Sequence, residues 1–350
     1  MLGPPLLPRN LEASVRDLES DRARTRVEAV EDLVRHARLS DRVRSRAIDL
    51  FVKRLEDPEP AVRAAVAVAL GDLGAKEAVV ALLLVVEDDD AYVRQMALNA
   101  LGEIADERAL PRLRRALEDE RAEVRYQAVI AFARVADATG DTQASEADDM
   151  LFTATGDADP AIVHIALRVA EERLDAGRAP DGRLVARAKA LVTEETTSPH
   201  VRLVAAILLA KAGDARGRDL VLQVVRGDRI GGEPADKEGE RAAVELAGAI
   251  GLAEAVPFLE RRAWGVKRLV KDTCVFHARI ALARLGHARA QAEILGELDS
   301  GRREVVSGAV VAAGRAHLVE ARARIAKLGG DLVDPALVTE ALKELDAADR

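Results

Sequence analysis

Aromatic side chains make up only 2% of the 350 residues, five Phe, two Tyr and one Trp. So few rings make a poor stacking platform for single-stranded nucleic acid. A single cysteine, Cys274, excludes an internal disulfide and a cysteine-based metal site. No apolar run approaches the roughly 18 residues that a membrane span requires. Met1 to Asn10 carries Pro4, Pro5 and Pro8 but no basic stretch leading into an apolar one, so no secretory leader is expected. The net charge of −8 argues against a general nucleic-acid binder. Together these absences predict a cytoplasmic protein with no membrane partner.

What is present is a helix former's alphabet. Charged residues are 32% and apolar ones 49%, a globular balance. Ala, Leu, Val, Arg and Glu dominate, with small residues available where helices approach closely. The text also repeats. Asp57-Pro58-Glu59-Pro60-Ala61-Val62-Arg63 leads into a run ending Leu70-Gly71-Asp72-Leu73-Gly74. It returns as Asp88-Asp89-Asp90-Ala91-Tyr92-Val93-Arg94, ending Leu101-Gly102, and opens again at Asp119-Glu120-Arg121-Ala122-Glu123-Val124-Arg125. The arginines are spaced by 31 residues, and each follows an aspartate by six. Self-similarity at this period marks a helical solenoid.

In these units the chain resembles the HEAT repeats, in particular the short type of the phycobilisome lyases. The resemblance implies an all-α, right-handed solenoid of about nine helix pairs plus a C-terminal capping helix. Residues 1–10 are an extended lead-in and 11–350 a single domain. Within it, 57–136 holds the regular repeats, 137–330 looser ones, and 331–350 the cap. Periodicity places first helices at 59–73, 91–104, 271–285 and 303–314. Second helices follow at 76–87, 107–118, 288–298 and 318–328, with a last helix at 335–347. Polar text at 137–146, 175–182 and 227–239 reads as long loops, which repeat scaffolds tolerate.

Candidate chemistry is sparse. None of His36, His164, His200, His277, His287 and His317 is followed by Glu, so the His-Glu pairs that hold iron in deoxyhypusine hydroxylase, a HEAT-like enzyme, are missing. No nucleophile elbow or phosphate loop occurs, Cys274 sits in an apolar run, and neither metal nor cofactor is expected. The pairs Asp57/Arg63, Asp88/Arg94 and Asp119/Arg125 are read as a structural ladder; the resemblance implies bonds among these groups and the neighbouring turn. Spacing puts His164, Arg202, Glu240, Val275 and Arg303 at the later ladder positions.

Two surface features remain. Arg261, Arg262, Lys267, Arg268 and Lys271 flank Trp264, a weak nucleic-acid candidate read first as a basic connector. Aligned second helices set Leu83 and Leu84 beside Arg112, Arg114 and Arg115, and in HEAT proteins these helices line the concave face. An apolar spot next to a basic one suits a protein segment. The expected function is therefore a non-catalytic scaffold or adaptor for another protein. A bilin-lyase-like enzyme or accessory subunit is the alternative, with nucleic-acid binding a third.

Overall fold

The computed structural model describes residues 10–265 and 274–348. It is an all-α repeat fold, and the described residues fall into two compact units. One unit runs to Arg173 and includes Pro180–Leu184; the other holds Leu174–Ala179 and the chain from Val185.

The first unit begins with a short helix, α1 (Leu11–Asp17), capped by the Asn10 side chain. Helix pairs follow: α2 (Ala23–Ala37) and α3 (Asp41–Arg54), α4 (Pro60–Asp72) and α5 (Val79–Val85), α6 (Ala91–Ile104) and α7 (Leu110–Ala116), α8 (Ala122–Thr139) and α9 (Asp141–Ala154). Then come α10 (Pro160–Asp175), nearly all in this unit, and α11 (Gly182–Thr193), most of which belongs to the second. The second unit continues with α12 (Pro199–Lys211) and α13 (Ala215–Arg226), α14 (Lys237–Ala249) and α15 (Val256–Trp264), α16 (Val275–Arg284) and α17 (Ala288–Glu297), α18 (Arg303–Arg315) and α19 (Arg322–Ile325), and ends with α20 (Pro335–Ala348). Among the described residues this gives the expected nine pairs and final helix, with α1 in addition.

Local chemistry sets the boundaries. Proline opens α4, α10, α12 and α20, where its missing N–H costs least. Asp90, Ser198, Asp214 and Asp236 accept hydrogen bonds from the first turns that follow them. Gly74 ends the stretch after α4 at φ 56°, a left-handed conformation that suits glycine.

The first helices of successive repeats stack directly: α2 on α4, α4 on α6, α6 on α8, and in the second unit α14 on α16 and α18 on α20. Val62, Val66 and Leu70 are fully buried along this seam. Close approach depends on a glycine facing an alanine. A Cβ on Gly71 would lie 2.8 Å from the Ala100 Cα, and one on Gly102 3.0 Å from the Ala131 Cα. Gly248 meets Ala281, and Gly314 meets Ala341, in the same way.

One of the expected loops is corrected. Residues 137–146 are helical apart from Gly140, because α8 extends through Thr139 and α9 starts at Asp141. Arg173 binds Asp137 and the Ala144 carbonyl of this stretch, and Asp148 just beyond it. The expected loop at 227–239 spans 227–236 and contains a folded turn. Ile230 and Glu233 exchange backbone hydrogen bonds, Ile230 is buried, and α14 already starts at Lys237.

Candidate interaction site

Each ladder arginine is the fourth residue of its helix, which aims the guanidinium back over the preceding turn. Its outer edge then reaches the aspartate of the next repeat. Arg63 donates Nε and Nη2 to Asp88 at 2.7 Å each, and Arg94 donates to Asp119 at 2.9 and 3.0 Å. Arg125 does the same to Asp157. Each Nη1 turns back to a backbone carbonyl of its own repeat: Asp57, Asp88 and Asp119 respectively. So the six-residue Asp–Arg pairs are joined through a carbonyl, while the bidentate carboxylate contact ties repeat to repeat. The aspartate oxygens also accept the N–H two residues on, at Glu59, Asp90, Arg121 and Asp159.

The pattern missed two members. Arg26 forms a first rung to Asp57, and Asp157 receives the last. The signal was in the text, since Arg26 aligns with Arg94. Two later assignments are corrected. The fourth residue of α10 is Val163, not His164, and in α18 it is Val306, not Arg303. Val275 keeps the position, since it precedes the left-handed Gly286 by eleven residues as Arg63 precedes Gly74 and Arg94 precedes Ala105. Counting from one arginine to the next across insertions shifted the register. Arg202 and Glu240 do occupy the position.

The ladder is acid-sensitive. Burial pushes Asp88 and Asp119 up, but the bonds from Arg63 and Arg94 and from the backbone N–H outweigh it and hold both below the ordinary range. The Arg125 guanidinium likewise lowers Asp157. A lowered native pKa contributes stability that is complete above the unfolded value of about 3.9 and disappears as pH falls below it. Urea midpoints should therefore drop between about pH 4 and 2, and less so in Arg94→Met/Asp119→Leu, which lacks a rung. Equal acid sensitivity in both proteins would show that the rung does not carry it.

On the second helices, the structure separates the two leucines. Leu84 is 70% exposed, whereas Leu83 is half-buried beside it. Val80, one turn before Leu84, is 61% exposed and completes an apolar pair that sequence alignment did not single out. The arginines already have partners. Arg112 and Arg115 reach Glu87 at 2.5 and 3.6 Å, and Arg114 bonds Glu146. These pairs are largely solvent-exposed and worth about 0–1 kcal/mol each, so they exchange readily for another carboxylate. A cleft of about 450 Å³ continues from Glu87 and Arg115 to Asp88, Arg94 and Asp119.

The second basic feature is tied up where it is described. Arg262 bonds Glu240 at 2.6 Å and the Val225 carbonyl, Arg261 lies over Phe258, and Trp264 donates to Glu293 at 3.0 Å beneath Arg289. Lys267, Arg268 and Lys271 lie outside the described residues. Cys274 is buried, as expected of core. Among the described residues no cluster of His, Cys, Asp and Glu suits a metal ion, and no helix is long and apolar enough to cross a membrane.

Comparison with known proteins agrees with this geometry. The family of HEAT repeats matches residues 15–90 and 79–170. No curated protein matches in sequence. Among solved structures, the Escherichia coli protein YibA is 15% identical, covering 80% of this chain and 93% of its own at a TM-score of 0.53, which supports the fold. An engineered protein is 18% identical over 98% of this chain and 100% of its own, at 0.41. The CpcE–CpcF complex of phycocyanin lyase from Nostoc sp. PCC7120 is 18% identical over 99% and 97%, at 0.39. Stacked helix pairs, interlocked Arg–Asp rungs and the matched family model together identify residues 15–170 of this chain as HEAT repeats.

Proposed function

We propose that the chain is a non-catalytic, cytoplasmic scaffold that captures an acidic, apolar-anchored segment of another protein on its second helices. The exposed Val80–Leu84 pair carries this reading. It stands between Lys53, 31 residues earlier and exposed, and Arg115, 31 residues later. An apolar anchor covered by the partner would supply most of the affinity, while Lys53, Arg114 and Arg115 would set orientation and association rate. Glu87 competes for the same arginines, so it acts against an acidic partner.

The test is affinity capture from the native host, followed by titration of the captured protein. Val80→Asp with Leu84→Asp should abolish capture at an unchanged melting temperature. Glu87→Gln should strengthen binding several-fold by freeing Arg112 and Arg115. Full capture by the double variant, or weaker binding by Glu87→Gln, would place the interaction elsewhere.

A further inference from the structure

The second unit contains a charged cleft that the scaffold reading does not use. It encloses about 270 Å³ and is lined by Glu245 of α14, Ile280 and Arg284 of α16, Arg315 at the end of α18, His317 just beyond, and Glu344 of α20. Three first helices and the final helix contribute, so the stacking register itself assembles the site. From these contacts we propose that the cleft binds a small zwitterion of amino-acid size, with its carboxylate on Arg284 and Arg315 and its ammonium on Glu344 and Glu245.

Three observations support the assignment. The charges face one another but do not close. Arg284 and Glu344 make no ion pair within 4.0 Å among the described residues; Glu245 Oε1 lies 2.5 Å from His277 Nδ1, and Arg315 approaches that oxygen only to 3.7 Å. Glu344 is also seated: its Oε2 lies where a Cβ on Gly314 would come within 2.5 Å, so glycine leaves the carboxylate its place. Finally, burial pushes Glu344 up, as expected of a carboxylate short of partners. Charge balance selects the ligand. A lone anion meets Glu344 and a lone cation meets Arg284, whereas a zwitterion satisfies both. Buried Ile280 offers an apolar wall for the Cα side, and the volume is below that of drug-sized sites.

The experiment titrates the full chain with the common L-amino acids one by one, by calorimetry and saturation-transfer NMR. At least one should bind with a dissociation constant of about 1 mM or tighter. Its methyl ester, lacking the carboxylate, and its N-acetyl form, lacking the ammonium, should each bind at least about tenfold more weakly. Arg284→Gln and Glu344→Gln should do the same at unchanged melting temperatures. The proposal is overturned if no amino acid binds, if the ester or N-acetyl form binds as well as its parent, or if both variants bind normally. The ligand derivatives decide the matter even if a variant folds poorly.

Discussion

Arg26→Ala should cost about 3–5 kcal/mol of folding stability, more than any other single ladder truncation. Arg26 holds Asp57 by two bonds of 2.7 and 2.8 Å, and its third nitrogen takes the Ser20 carbonyl. The side chains are only 8% and 1% exposed, so alanine would leave a buried carboxylate with the Glu59 N–H and Arg54 at 4.0 Å in place of its bidentate partner. The Arg94–Asp119 rung has the same geometry at 12% and 14% exposure. There water can enter, and Arg94→Ala should cost about 1–3 kcal/mol. Urea denaturation of the two variants, side by side, measures the difference. If Arg26→Ala is no less stable than Arg94→Ala, burial does not set the strength of a rung.

Gly217→Val is the second change expected to be severe. Gly217 of α13 faces the backbone of α12: a Cβ there would lie 2.7 Å from the Leu209 Cβ, and closer still to the Ala206 oxygen and Ala210 nitrogen. Backbone cannot rotate away as a side chain can, so α12 and α13 would have to separate. Overpacking of this kind costs about 3 kcal/mol or more, at the upper end of its usual range. Gly296→Ala in α17 is the control, since nothing lies within 4 Å of that position. It should be neutral or gain about 0.5–1 kcal/mol from the better helix former. Thermal melts followed by circular dichroism separate the two. A wild-type melting temperature for Gly217→Val would mean that the pair is not packed as described.

The repeat and its helices were legible because periodicity is a local property. Val62, Val66 and Leu70 recur on one helical stripe, and Asp57, Asp88 and Asp119 recur at one place in the turn. Helix boundaries in the regular repeats follow from Pro60, Asp90 and Gly74, whose effects act within a few residues. Where insertions interrupt the period, counting fails. His164 was placed one residue beyond the true position, Val163, because the ladder depends on distance from the helix start.

The candidate surface was half legible. Alignment found Leu84 and the three arginines but could not separate Leu83 from Val80, because exposure depends on how neighbouring helices rotate. It also could not show Glu87 holding Arg112 and Arg115.

Sequence alone thus determined the all-α repeat, the count of helix pairs and the ladder residues of the regular repeats, since spacing and composition encode local helix formation. The tertiary structure decided three things. Rungs join each arginine to the aspartate of the next repeat, because the fourth helical residue points back over the stacked turn. Glycines such as Gly217 and Gly248 are fixed by the helix packed against them. Glu245, Arg284, Arg315 and Glu344 meet in one cleft although a hundred residues separate the first from the last. Such contacts depend on how successive helices stack, and spacing along the chain does not carry that information.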